Sequence, residues 1–209
     1  MSGEWSGSVA QTAGLLGQTV LVIGTCTGAG RAIARRAKRE GAQLILTDRR
    51  AGPLEDLADD IGVEATATFD ESDVEQLETF LRGLPGSVDH VLLSKIDFFQ
   101  ARGAPDQLLL PICLARYARQ EMRGGSLVFV AGARAERADD GQTPAAITAA
   151  ALPVLIAGLA VEVAPVRVNL ITWDGPEPPG SFGEVAARAV GLMADHAVTG
   201  ANVYLDGGG

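Results

Sequence analysis

Seven short apolar runs alternate with longer segments of helical periodicity along this chain. Continuous Val, Ile and Leu runs are typical of strands buried on both faces, and consecutive parallel strands need a crossover connection between them. The sequence therefore predicts an α/β protein with a doubly wound, parallel, seven-stranded sheet and helices on both faces. The predicted strands are residues 19–24, 43–48, 64–70, 89–95, 126–132, 166–172 and 201–206, and the predicted helices fall within residues 28–41, 51–62, 71–84, 106–125, 144–163 and 181–198.

The length and composition suit one globular domain. Of the 209 residues, 47% are hydrophobic and 21% are charged, which is enough to bury a single core and too apolar for a disordered chain. We assign the domain to residues 17–209. Residues 1–16 form a Gly/Ser/Thr-rich lead that we expect to be flexible, and they lack the basic and apolar regions of a signal peptide.

Charge and residue usage argue against several functional classes. The net charge is −9, and the longest basic run is "RRAKR" at residues 35–39, so we expect no nucleic-acid partner. Pro153, Gly158 and Glu162 interrupt the apolar segment that follows Thr143, so we expect no membrane span. The two cysteines and two histidines match no metal-binding spacing, and we expect a reduced, metal-free, cytoplasmic protein.

Three glycines lie between the first predicted strand and the first predicted helix, in "IGTCTGAG" at residues 23–30. In a phosphate-binding loop, Gly24 would permit the tight turn, Gly28 would let the backbone approach a pyrophosphate, and Gly30 would bring the helix against the strand. The same glycines also suit a purely structural turn. Cys26 lies in this loop, and we expect an inert thiol there although a helix N-terminus can lower a thiol pKa.

Asp48 ends the second predicted strand, twenty residues after Gly28. A carboxylate at this place can accept hydrogen bonds from an adenosine ribose and repel a 2′-phosphate. Arg49 favours the opposite preference, since a guanidinium can hold a 2′-phosphate, and "TDRR" also suits a solvated strand end. We expect NAD(H) in preference to NADP(H).

Several motifs occur together in one order: "IGTCTGAGRAIA" from Ile23, Asp48, "FDESD" from Phe69, "GSLVFVAG" from Gly125, "LAVEVAPVRVN" from Leu159, and "VTGANVYLDGGG" at the end. In this order they resemble the short-chain dehydrogenase/reductase family over residues 17–208. The resemblance implies a Rossmann fold and a nicotinamide cofactor at the carboxyl ends of the strands. It also implies assembly through the helices at residues 104–123 and 144–163, as a homo-oligomer or beside another subunit of the family. The cofactor-binding residues it implies are Gly24, Thr25, Gly28, Ala29, Gly30, Asp48, Arg49, Asp70 and Ser94.

The same resemblance implies a damaged catalytic centre. The family uses a Tyr as general acid/base, a Lys that lowers its pKa, a Ser that binds the substrate carbonyl, and an Asn in a proton relay. Anchored on "LAVEVA" and "GSLVFVAG", the Tyr, Lys and Ser positions hold Ala145, Ala149 and Gly132. Counting back from Met122 places Gln107 at the Asn position, and only Gln107 keeps a polar amide. The segment "GPEPPGSFGE" at residues 175–184 is also shorter than the substrate lid of the family.

Three interpretations follow. The first is a catalytically degenerate protein that acts as a scaffold, regulatory or non-catalytic subunit. The second is an active enzyme with a non-standard site around Lys95, Asp97 and Gln107, although a Lys and an Asp beyond a strand are also typical of a solvated loop. The third is an NAD sensor that binds the cofactor without turnover.

Overall fold

The computed structural model describes residues 14–63, 65–96, 106–132, 143–174 and 182–206. Strands and helices alternate through these residues, as the apolar runs predict. The strands are β1 (Thr19–Ile23), β2 (Gln43–Asp48), β3 (Ala65–Thr68), β4 (His90–Ile96), β5 (Ser126–Gly132), β6 (Arg167–Asp174) and β7 (Asn202–Asp206). The helices are α1 (Gly28–Arg39), α2 (Ala51–Ile61), α3 (Val74–Arg82), α4 (Asp106–Glu121), α5 (Thr143–Glu162) and α6 (Gly183–Ala194).

All seven strands form one sheet in the order β3-β2-β1-β4-β5-β6-β7, and every neighbouring pair is parallel. The predicted doubly wound fold is therefore confirmed. The strand order reverses between β1 and β4, and the carboxyl ends of these two strands form the switch point at which open α/β sheets bind ligands. The glycine loop, residues 23–30, runs from the end of β1 into the first turn of α1 and lies at this edge.

Two apolar cores cover the two faces of the sheet. Successive residues of β1 alternate between them: Leu21 and Ile23 pack with α3, α4 and α5, whereas Val20 and Val22 pack with α1, α2 and α6. The strands therefore need apolar residues at every position, which explains their continuous runs.

Leu15, which falls within the predicted lead, packs against the domain. Leu15 is buried, and its backbone N–H donates to the Glu40 carbonyl oxygen at 3.2 Å. Residues 1–13 of the predicted lead lie outside the described residues. Within the described ranges, no helix has the length and apolar character needed to cross a membrane.

A buried polar layer lies at the amino ends of the central strands. The His90 ring is within 2.6 Å of Gln18 Oε1 and 2.8 Å of Ser126 Oγ. Since a carbonyl oxygen only accepts, Nε2 carries the proton and Nδ1 accepts from the serine hydroxyl. Burial lowers the pKa of His90 to about 4, and the charge of Arg167 acts in the same direction.

Candidate functional site

The β1–α1 loop is fastened to β2. Gly24 has φ +77°, a left-handed conformation that favours glycine. The backbone N–H groups of Gly24 and Thr25 both donate to the Thr47 carbonyl oxygen, at 3.1 and 3.0 Å. The Thr25 hydroxyl lies 2.9 Å from the same oxygen. The sharp turn predicted for the first glycine is present.

Gly30 allows α1 to approach the sheet closely. A Cβ at Gly30 would lie 2.5 Å from the Gly24 carbonyl oxygen and 2.7 Å from Ser94 Oγ, so no larger residue fits. Ser94 donates to that same carbonyl at 2.5 Å and lies 3.1 Å from Thr27 Oγ1. Thr27 in turn caps α1 by accepting from the Gly30 N–H at 2.8 Å. The third glycine and Ser94 thus have structural roles within the chain.

Asp48, the last residue of β2, holds the glycine loop through hydrogen bonds. Its side chain is almost fully buried, with Oδ2 accepting from the Cys26 N–H at 2.7 Å and Oδ1 from the Arg50 N–H at 3.1 Å. The Arg50 guanidinium donates to the Cys26 carbonyl oxygen at 3.0 Å. Sequence reasoning singled out Arg49, but Arg50 is the residue that joins this cluster. Nothing in "TDRR" distinguishes the two arginines before the turn is known.

The environment of Cys26 disfavours the reactive thiolate form. Burial raises its pKa to about 11, and the Asp48 carboxylate acts in the same direction. Cys26 and Cys113 are both free. Elsewhere in the described ranges, no group of three His, Cys, Asp or Glu residues could hold a metal ion.

Acidic side chains gather at the carboxyl ends of β2 and β3. Asp70 is exposed, and its Oδ1 accepts from the backbone N–H and the hydroxyl of Ser72 at 3.0 and 2.6 Å. Burial raises the pKa of Glu71, and the charges of Asp48 and Asp70 raise it further. Among the described residues, Glu71 Oε2 is buried without a hydrogen-bond partner. This edge of the site is therefore electronegative.

Gly28, the second glycine of the loop, is covered by an aromatic ring. A Cβ at Gly28 would lie 2.2 Å from Cε2 of Phe182, the residue that precedes α6. The Phe182 ring also packs against Trp173 near the end of β6, with ring centroids 6.0 Å apart. Sequence reasoning missed this ring, because only the tertiary fold brings it to the glycine loop.

The positions at which the resemblance implies catalytic groups are only partly described. Gly132 is the exposed last residue of β5, and apart from its chain neighbours no atom of the described residues lies within 4 Å of where its Cβ would be. Ala149 is buried in the core formed with α4 and α5. Ala145 lies in α5, but its side-chain environment is outside the described residues.

The residues predicted for a non-standard site are also incompletely described. Lys95 lies within β4 and Gln107 within α4, and the surroundings of both side chains are outside the described residues. Asp97 is outside them altogether, as is the charged segment at residues 133–141. The participation of these three residues in one site stays a prediction.

The sheet order, with a glycine loop at its switch point, defines a Rossmann-type α/β fold. Residues 18–99 match the family model for short chain dehydrogenase. The chain is 26% identical to the short-chain dehydrogenase/reductase ATR9 of Stachybotrys chlorohalonatus, over 88% of this chain and 84% of that protein. The chain is thus similar to the short-chain dehydrogenase/reductase family, and the match to the family model is confined to residues 18–99.

Solved structures agree over almost the whole domain. A short-chain dehydrogenase/reductase of Brucella melitensis superimposes with a TM-score of 0.79 at 24% identity, covering 93% of this chain and 97% of that one. Enoyl-[acyl-carrier-protein] reductase (NADH) of Aquifex aeolicus gives a TM-score of 0.74 at 28% identity, with 93% and 97% covered. The fold therefore extends well beyond the residues that match the family model.

The loop in this arrangement does not fit a dinucleotide. The second glycine of such a loop is the place where the backbone approaches the pyrophosphate. Here the Phe182 ring occupies that side of Gly28, and the N–H of Gly30 is already bound by Thr27. The Asp48 carboxylate, which would accept from a ribose, is buried and hydrogen-bonded within the chain.

Proposed function

We propose that this chain is a catalytically degenerate member of the short-chain dehydrogenase/reductase family. It acts by assembling with other subunits, as a scaffold or non-catalytic subunit. The proposal rests on the residues found at the positions where the resemblance implies catalytic side chains. Gly132 and Ala149 stand where the resemblance requires a Ser and a Lys, and Ala145 stands where it requires the Tyr. None of these three side chains can hold or transfer a proton.

The absence of the Ser, Tyr and Lys side chains removes groups that hydride transfer needs. Hydride transfer to a carbonyl leaves an alkoxide that must receive a proton from a group within hydrogen-bond reach. Gly132, at the end of β5, offers no hydroxyl to position the carbonyl oxygen. Ala149, which is 9% exposed, carries no amine and lies in the same buried apolar cluster as Leu152 and Ile156. The arrangement suits packing better than catalysis.

An apolar surface on α5 supports assembly. Ile147, Val154 and Val161 are 65%, 76% and 81% exposed, and their spacing of two helical turns places them on one stripe. Leu109 and Ile112 of the neighbouring α4 are also exposed. The only charged residue of α5 is Glu162, at its end. Such a surface is typical of a protein interface.

We propose a second copy of this chain as its partner. A two-fold axis across α5 would bring the stripe against itself, burying the valines without a charged partner surface. This proposal keeps the assembly through residues 104–123 and 144–163 that the sequence predicts. A subunit of another family member is the alternative, and it is an outcome of the test below.

Cofactor preference is a separate proposal. We infer that a bound cofactor would be NAD(H) rather than NADP(H), because Asp48, Asp70 and Glu71 lie near the ribose end of the site. Their negative charge opposes a 2′-phosphate. The relative from Aquifex aeolicus carries NADH in its name, which is consistent with this preference.

Turnover assays test the loss of chemistry. Purified protein should neither oxidise alcohols nor reduce carbonyl compounds with either nicotinamide cofactor above the rate of a protein-free blank. Turnover that is abolished by Lys95→Ala or Gln107→Ala would refute the proposal and establish the non-standard site instead.

Light scattering tests the assembly. We expect the purified chain to be a dimer or tetramer, and Val154→Glu to shift it toward monomer, because the charge would be buried in the interface. Leu16→Glu is the matched control, since Leu16 is 75% exposed and lies outside α4 and α5. A wild-type monomer contradicts self-assembly and favours the heteromeric alternative.

A further inference from the structure

The ring of Phe182 lies where a side chain at Gly28 would stand. Gly28 is the first residue of α1, and Phe182 immediately precedes α6. Three ring atoms of Phe182 lie 2.2, 2.8 and 3.0 Å from the position of a Cβ at Gly28. The ring thus fills the space that the absent side chain leaves open. A phosphate group cannot occupy the same volume.

The ring is held from its other side as well. Trp173 packs against Phe182 with an angle of 47° between the ring planes, a tilted arrangement that aromatic pairs favour. Trp173 is itself buried, and Phe182 packs against the core on the α1 and α6 side of the sheet. The ring therefore lies between Trp173 and the glycine loop.

The start of α6 does not explain a phenylalanine at this position. Helices favour Ser, Thr, Asp or Asn at the residue before the first turn, because those side chains bind free backbone N–H groups. Phe182 makes no such side-chain bond. Its carbonyl oxygen accepts from the Ala186 N–H at 2.9 Å, which any residue could provide. The contacts of its ring with Gly28 and Trp173 are what the side chain adds.

We propose that Phe182 occludes the dinucleotide site: its ring takes the place of a cofactor pyrophosphate on Gly28, and NAD(H) binds only when the ring is withdrawn. The occlusion is independent of the assembly proposed above. If f is the fraction of molecules with the ring withdrawn, the apparent dissociation constant is the intrinsic one divided by f. A ring held between two partners keeps f small, so the intact chain binds weakly.

Calorimetric titration with NADH tests the occlusion. The wild type is compared with Phe182→Ala and with Phe182→Ser, which removes the ring but supplies a residue that helix N-termini favour. Phe80→Ala is the matched control: Phe80 is also half-buried and packs on another ring, that of Phe69, at a centroid distance of 4.9 Å in the other core. Thermal melts establish that each variant is folded before titration.

Both Phe182 variants should bind NADH at least about tenfold more tightly than the wild type, with Phe80→Ala unchanged. If the wild type binds as tightly as the Phe182 variants, the ring does not occlude the site. If no folded variant binds NADH, the ring is not what excludes the cofactor, and the proposal is equally overturned. Light scattering on the same samples reports assembly separately, so failure of one proposal is distinguishable from failure of the other.

Discussion

Mild acid should destabilise this fold through His90. The ring, at the amino end of β4, is buried and neutral. It is hydrogen-bonded to Gln18, just before β1, and to Ser126, at the start of β5. Burial and the nearby charge of Arg167 hold its pKa at about 4, against 6.5 for an unperturbed histidine, while Asp89 opposes them. The unfolded chain therefore binds a proton between these values that the folded chain does not. Stability rises with pH across this window and is lost as the pH falls through it.

The size of the effect follows from the two pKa values. A difference of one pKa unit corresponds to about 1.4 kcal/mol. Lowering the pH from about 7 to about 5 protonates His90 in the unfolded chain only, which costs about 2 kcal/mol of unfolding free energy. Near pH 4 the loss from this one residue approaches about 3 kcal/mol. That is a substantial part of the stability of an ordinary domain.

Urea unfolding at several pH values, followed by circular dichroism at one protein concentration, measures this loss. In His90→Gln, whose amide can bond the same partners without titrating, the decrease from about pH 7 to about pH 5 should be smaller than in wild type by about 2 kcal/mol. His196→Gln is a second comparison, since His196 is exposed and its charge is the smallest of the four causes that set the pKa of His90. Parallel pH profiles for wild type and His90→Gln would refute the reasoning.

Three further predictions concern the glycine loop. Gly30→Ala should cost about 1–3 kcal/mol of unfolding free energy through overpacking, whereas Gly52→Ala, with open space around it, should be neutral or slightly stabilising in urea titrations. Gly28→Ala should destabilise the wild type but not Phe182→Ala, and additive losses of melting temperature would contradict the contact. Cys26 should react with iodoacetamide about a hundredfold more slowly than a free thiol of pKa 9, and a rate equal to that of the urea-unfolded chain would exclude the raised pKa.

The sheet could be predicted from sequence because its strands are buried on both faces, so each one is a continuous apolar run. Strand ends were less predictable. β3 stops at Thr68 rather than at residue 70, since Asp70 bonds the N–H of Ser72 in a local turn that competes with strand pairing. β6 continues to Asp174, two residues past the predicted end, because Trp173 pairs with strands on both sides.

In the site, too, the features set by neighbouring residues could be predicted from sequence, whereas a contact made by the tertiary fold could not. The turn at Gly24 and the close packing at Gly30 follow from spacing alone, because a strand–turn–helix unit has few ways to place three glycines. Phe182 could not be found this way. Its partner Gly28 is far away in sequence, and a phenylalanine between a glycine-rich connection and a helix has no local signature. Only the packing of α6 beside α1 brings the two together.

The glycine loop is consequently a weak indicator of cofactor binding in this chain. At position 24 the left-handed backbone conformation favours glycine. At position 30 a Cβ would lie within 2.7 Å of a carbonyl and a hydroxyl oxygen, so glycine is needed there as well. Both requirements hold whether or not a dinucleotide binds, because they concern the junction of β1, β4 and α1. Gly28 is the glycine that a pyrophosphate would approach, and in this chain the Phe182 ring occupies that space. A loop of this pattern can thus be demanded by the fold alone, and evidence of binding has to come from what covers its second glycine.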